Sequence, residues 1–436
     1  MIRDYLKECM LFICCLTVAY FPLGLLGQTC LSGGITFSTQ EAIDNFSANF
    51  PDCNTIVGTV TIEEASSGAI ENLAGLSAII SIGEALVINQ NTALSSLEGL
   101  NNLTTVGGRL TISNNAILEN LQGLEALDTI VSSLRISNNT ALSALTGLRD
   151  LHYLFQDLSI ENNKSLNNLK GLDSLRHIDG QVNISSNPRL TSLDGLDQLQ
   201  SVGNIFQLYN NPLLQSLNAL AALQSVGSDF IIDENQRLPT LQGLEALESV
   251  GGFLQIVNQP ILNNLSGLRE LKQVGGLLQV FNNKLLSSLS GLDSIDHKSF
   301  NSLALISNPN LTECSVKSIC NYLGETSPVH SISGNRSGCL TTAQILAACK
   351  RQGQNSQPGQ PSDILLFPNP TKGKVFIKGR TIGGAQVVLY DTAGRKISTR
   401  IVAEQTFNIE ELAVGYYRLR IFAGDRVFNK SLIKLD

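Results

Sequence analysis

Gly99 to Gln122 reads GLNNLTTVGGRLTISNNAILENLQ, and Gly123 begins the same pattern again. With that glycine as position 1, leucine stands at position 2 in all ten units from Leu76 to Leu292, and at positions 20 and 23 in all nine complete ones. A strict 24-residue period is the signature of stacked like coils.

Within each unit, positions 12 and 14 are apolar (Leu110 and Ile112, Leu158 and Ile160, Phe230 and Ile232), whereas 11, 13 and 15 vary. That alternation marks a short strand with one buried face. The apolar residues at 2, 5 and 8 are spaced for a tight irregular or 3₁₀-like return path rather than an α-helix. The fold class is therefore mainly β, a solenoid of about ten coils and, at about 4.8 Å per strand, roughly 50 Å long.

Position 17 is asparagine in eight of nine complete units, from Asn91 and Asn115 to Asn235 and Asn283, with Gln259 the exception. An internal ladder, each amide satisfying backbone groups at a corner and bonding its neighbours above and below, accounts for this better than a binding site does. The glycines at positions 9 and 10 (Gly107, Gly108, Gly251, Gly252, Gly275, Gly276) read as turn residues with positive φ. With no helix following them, they are not phosphate loops.

The chain has 436 residues, 43% apolar and only 15% charged, so leucine packing carries the fold. Net charge is −7, unevenly placed: from Asp363 onward twelve Lys or Arg face seven Asp or Glu, leaving −12 on the remainder. An acidic body argues against nucleic acid as a partner.

Arg3 and Lys7 precede an apolar run from Met10 to Leu26, which reads as a signal peptide over residues 1–27, with a retained anchor as the rival. Thr29 makes Cys30 a poor lipoprotein acceptor, and no later run is long enough to span a membrane. Six cysteines remain: Cys30 and Cys53 before the regular units, and Cys314, Cys320, Cys339 and Cys349 after them. Disulfide-bonded caps answer the exposed edge and core that a solenoid leaves at each end. The last four allow three pairings, and their spacing lacks the paired knuckles of a zinc site.

The resulting organisation is an N-terminal cap with a first irregular repeat (28–74), the solenoid (75–313), a Cys-rich cap (314–350), a Gln/Pro/Gly linker (351–362) and a last domain (363–436). ILLFPNPTKGKVFIKG, AQVVLYDTAGRKIS and VGYYRLRIFAGDRVFNKSLIKL alternate apolar and polar residues between turn signals, predicting a small β-sandwich of six or seven strands.

This last segment resembles the C-terminal sorting domain of proteins exported by the type IX secretion system. Phe367, Pro368, Asn369, Pro370 and Gly373 match its opening signature. Tyr390, Asp391 and Gly394 match its central turn, and Leu412, Gly415 and Tyr416 its later strand. The resemblance implies an Ig-like sandwich, periplasmic transit, recognition by an outer-membrane translocon and a secreted or surface-attached product. The repeats resemble the receptor L domain branch of leucine-rich repeat proteins over roughly Cys53 to Cys349, which implies a right-handed solenoid that presents a surface to ligands.

The four histidines, His152, His177, His297 and His330, are scattered, and no HExxH, GxSxG or GxxxxGKS element occurs. His152 and His177 fall on adjacent units and can approach one another, but exposed histidines are ordinarily solvated surface. The chain reads as a non-enzyme with no cofactor and no metal.

Function belongs at the outward positions 11, 13 and 15, since packing occupies the inward ones. Early units place Thr111, Ser113, Arg135, Ser137, Ser159 and Glu161 there; later ones place Ile205, Tyr209, Ile231, Phe253, Val257, Leu277 and Phe281. Stacked side by side, these seven predict one contiguous apolar and aromatic patch. It is a binding surface for an extracellular protein or glycan, a core covered by the cap or linker, or a self-association face. The first reading makes the chain a secreted or cell-surface adhesion protein. The others make it a surface-layer or matrix scaffold, with substrate recognition for polymer degradation a more remote alternative.

Overall fold

A computed structural model describes residues 28–355, 365–367, 371–378, 385–391, 395–402, 406–423 and 426–434. The expected signal peptide, most of the expected linker, and Pro368, Asn369, Pro370 and Gly394 of the sorting motif lie outside the described residues. The chain divides into two compact units at Cys349/Lys350, each with its own hydrophobic core.

The first unit is a parallel β-solenoid. Positions 12 and 14 face inward on four-residue strands such as Leu110–Ser113 and Leu134–Ser137, which pair in register with Leu110 opposite Leu134 and Ile112 opposite Ile136. The ladder has thirteen strands, not the ten that the leucine period counts. Three further strands extend it, Ile35–Phe37 and Val60–Ile62 at one end and His330–Ser333 at the other; neither these nor Ser302–Ile306 of the tenth unit keep the 24-residue spacing.

A second ladder of eleven strands was not foreseen. It consists mostly of residue pairs at positions 7 and 8, such as Thr105–Val106 and Thr129–Ile130. Only Ala74–Leu76, Asn218–Leu220 and Ser266–Leu268 form 3₁₀ turns on the return path. One apolar residue every three positions leaves two-residue strands indistinguishable from turns in the sequence.

Seven inward side chains per coil fill the space between the ladders. In the coil from Gly99 these are Leu100, Leu103, Val106, Leu110, Ile112, Leu118 and Leu121, all buried. Truncating one such leucine to alanine costs about 2–5 kcal/mol.

The asparagine ladder is internal, as expected. The backbone N–H of Asn115 donates to Asn139 Oδ1 (3.0 Å), and Asn115 Nδ2 donates to the Ile88 carbonyl of the coil before (3.0 Å). Each amide thus ties three coils together. Asn308 and Asn335 continue the series into the C-terminal cap. At Gln259 it breaks: the longer amide donates to Val257 O (2.7 Å), and its buried Oε1 has no partner.

The expectation for the glycines at positions 9 and 10 was wrong in its reason. Positive φ occurs instead at position 1, as in Gly99 and Gly123, and at position 16, where Asn114, Asn138 and Asn162 adopt it at 57–59°. Where position 9 is glycine, neighbouring coils approach closely: a Cβ on Gly107 would meet the Gly83 carbonyl oxygen at 2.1 Å.

Disulfides pin both caps. Cys30–Cys53 joins neighbouring strands of the smaller ladder, and Cys314–Cys339 and Cys320–Cys349 resolve the C-terminal pairing. Phe37, Ile43 and Phe46 close one end of the core; Ile319, Tyr322 and Leu323 of the helix Lys317–Leu323 close the other. The terminal helix Thr342–Asn355 runs past the expected linker boundary, since Lys350, Arg351 and Gln352 suit a helix as well as a linker.

In the second unit the described residues form two antiparallel sheets. Leu365–Phe367, Lys374–Lys378 and Thr406–Asn408 make one; Lys396–Ile401, Gln386–Tyr390, Gly415–Ala423 and Arg426–Lys434 make the other. Val375, Val387, Leu389, Phe407, Leu419 and Leu432 are among the buried residues of their core.

Candidate functional site

The seven candidate residues all lie on the larger ladder or its margin and point away from the core. Phe253 is 43% exposed and the other six are half-buried. Register shows how they meet. Along one column Tyr209, Asp233, Val257 and Phe281 are successive partners; along the next Gln207, Ile231, Gln255 and Gln279 are. Ile205, Asp229, Phe253 and Leu277 hold the equivalent place at the start of each strand. The patch is thus not the unbroken apolar surface expected, because Asp229, Asp233 and three glutamines stand within it. Reading only the apolar residues of each coil hid the polar ones between them.

Those polar groups are held in place. Gln255 Nε2 donates to Gln279 Oε1 (2.9 Å), and Asn258 Nδ2 donates to Asp233 Oδ1 (2.9 Å). Asp229 Oδ1 accepts from the backbone N–H of Phe253 (2.7 Å), fixing that residue at the head of its strand. Burial, reinforced by the Glu234 charge, holds the Asp233 carboxyl above the usual aspartate range despite the Asn258 hydrogen bond. The Glu234 charge likewise raises the Tyr209 phenol.

The early coils carry a polar face. Asn183 Nδ2 and Ser159 Oγ donate to Glu161 Oε1, and Arg135 stands 3.8 Å from the same carboxylate.

A second cluster escaped the sequence reading. Position 9 is glycine in most coils, yet Val131, Phe155 and Asp179 replace it in three consecutive ones. Phe155 is 53% exposed and its ring centroid lies 4.6 Å from that of Tyr153. Tyr153 Oη donates to Asp179 Oδ2 (2.5 Å), and burial with this carboxylate pushes the phenol up to about 12. The departure from glycine was the available signal. His177 bonds Ser201 (2.9 Å) and His152 bonds the Asp150 carbonyl (2.6 Å), so the two histidines have separate partners.

In the second unit the central turn of the sorting motif is closed by Asp391. Its carboxylate accepts from the backbone N–H and from Nε of Arg395, both at 2.8 Å. The Gly373 carbonyl accepts from Ile409 N (3.0 Å), and Leu412 N donates to Ile409 O (3.0 Å). Tyr390 and Gly415 lie on paired strands, while Phe367 and Tyr416 are placed by their backbones in strands of opposite sheets.

Residues 52–146 match the receptor L domain family, and residues 365–435 match the secretion system C-terminal sorting domain family. The chain carries both domains. The sorting domain makes the type IX translocon its export partner and places the product outside the cell or on its surface. Beyond residue 146 the coils continue the same repeat. No curated protein matches the chain.

Among the described residues no group of three or more His, Cys, Asp or Glu could hold a metal ion, and no helix is long and apolar enough to cross a membrane.

Proposed function

We propose that the protein is an extracellular binding or adhesion protein, and that the outward face of its late coils recognises a protein or glycan ligand. The observation that carries this is the exposure of Phe253 beside partly accessible apolar and aromatic neighbours. Phe253 is exposed and half-buried aromatic and aliphatic side chains surround it on a strand face whose early coils carry polar residues, and such patches mark interaction sites.

The domain boundaries that go with this reading are a signal peptide at 1–27, caps at 28–74 and 314–350 around a solenoid at 75–313, a linker at 351–362 and the sorting domain at 363–436. A right-handed winding is the one that crossover-linked parallel strands almost always adopt.

The test is binding of the full exported chain to arrays of extracellular proteins and polysaccharides, beside the Phe253→Ser, Phe281→Ser double variant. Saturable binding by the wild type that is lost in a variant of unchanged melting temperature supports the reading. Equal binding by both, or a variant that unfolds because these rings are core, refutes it.

A further inference from the structure

The outward face of the smaller ladder is bulky at one coil and bare at equal steps on either side of it. Tyr153 and Phe155 stand at the centre, at positions 7 and 9, and Phe155 is exposed. One coil away, position 9 carries Val131 on one side and Asp179 on the other. Two coils away both sides fall to small residues, Thr105 with Gly107 and Ser201 with Gly203. Three coils away they do so again, with Ser81 and Gly83 answering Ser225 and Gly227.

Charge has the same centre. At position 6 Asp128 lies one coil before His152 and Arg176 one coil after it. Both are exposed, and neither has an ion-pair partner among the described residues.

A row built this way is complementary to its own reverse. A second copy, turned about a two-fold axis that runs along the Tyr153 strand in the plane of contact, presents its coils in opposite order and its positions in the same order. Phe155 then meets the partner's Phe155, and Asp128 of each copy meets the partner's Arg176. The serine, threonine and glycine coils meet one another, where short side chains let two backbones come close. Val131 comes opposite Asp179, whose Oδ2 already accepts from the Tyr153 hydroxyl. An unrelated partner would have to carry this order independently, whereas a second copy carries it by symmetry.

The area is sufficient. Seven coils, ~34 Å at ~4.8 Å per strand, by five residues, ~16 Å at ~3.3 Å per residue, give each copy a footprint of roughly 540 Å². The two together come to about 1,100 Å², just above the ~1,000 Å² that a specific interface needs, and in the range of interfaces that form and separate.

We propose that the protein forms a reversible two-fold dimer through the coils on either side of Phe155, with two Asp128–Arg176 ion pairs across it. The larger ladder lies on the other side of the core, so the dimer leaves the late-coil face of both copies uncovered and joins two such faces in one particle.

Sedimentation equilibrium of the full chain tests this, at about pH 8 because His152 meets its counterpart at the axis and imidazoles are neutral there. A monomer–dimer equilibrium is expected, with a dissociation constant on the order of micromolar. Phe155→Ser, which removes the ring from both copies, should weaken association about thirtyfold or more. Asp128→Arg and Arg176→Asp each set like charges against one another twice, and each alone should weaken it at least about tenfold. An equimolar mixture of these two variants should regain the dimer, since every pair across the interface is again of opposite charge. The charge variants carry the test if Phe155→Ser melts early.

A wild type that stays monomeric overturns the proposal. So does a dimer that survives Phe155→Ser and both charge variants, a dimer lost instead in Phe253→Ser, Phe281→Ser, or a mixture of the charge variants that fails to associate.

Discussion

The ring of Phe253 lies over Gly276 of the following coil: a Cβ at residue 276 would stand 2.4 Å from Phe253 Cδ1. The bare backbone at 276 is what lets the aromatic ring lie along the stack. Gly276→Ala should therefore turn the ring aside and weaken ligand binding, while lowering stability by less than about 1 kcal/mol, since only a part-exposed side chain need move. Gly107→Ala, whose Cβ would meet a backbone carbonyl at 2.1 Å, should cost about 2 kcal/mol or more and leave binding unchanged. Denaturant melts and a binding titration on both variants check the contrast.

Gln259 is the defect in the ladder, and Gln259→Asn should repair it. The shorter amide can accept from Asn235 as Asn235 does from Asn211 (3.2 Å), removing a buried oxygen without a partner. A gain of about 1 kcal/mol in unfolding free energy is expected. Asn163→Leu, which strands the groups that Asn163 now satisfies on either side, should lose about 2–3 kcal/mol.

Asp233 is held charged at a cost. Its carboxyl sits above the ordinary value of 3.8 in the folded chain, so the folded state binds its proton more readily than the unfolded state. Stability from this group therefore falls as pH rises from that value through the raised one. Asp233→Asn should remove the fall and raise the melting temperature at neutral pH. Melting temperatures from pH 3 to pH 8, on the order of the window in question, check the sign.

The caps should be separable from the coils. Replacing Cys320 and Cys349 by serine frees the terminal helix from Lys317–Leu323 and should cost about 2–4 kcal/mol. Hydrogen exchange should rise first in residues 317–355 and spread inward, as expected when a solenoid loses its end cover.

The inward pattern was legible because each coil repeats it: Leu100, Leu110, Ile112 and Leu118 state a buried position twenty-four residues apart, again and again. Asn115 and its counterparts were legible for the same reason. The caps were not, because Val60–Ile62 and His330–Ser333 join the ladder through backbone hydrogen bonds that need no leucine period. The return-path ladder was missed since two residues such as Thr105 and Val106 carry too little periodicity. At the site, the apolar members were read from their departure from polar consensus. Asp229, Asp233 and Gln255 were overlooked because polar residues at outward positions look ordinary until register sets them between Tyr209, Phe253 and Phe281. Phe155 was overlooked because its lane is defined by glycine, whose role as a contact surface for the next coil shows only in three dimensions.

The most direct test compares the affinity of three full chains for the same ligand: the wild type, the Phe253→Ser, Phe281→Ser variant, and Phe155→Ser, which removes the most exposed ring of the other ladder's margin. Affinity lost in the double variant alone, at equal melting temperature, is the predicted result. Loss in Phe155→Ser alone, or in neither variant, contradicts the placement of the binding face on the late coils.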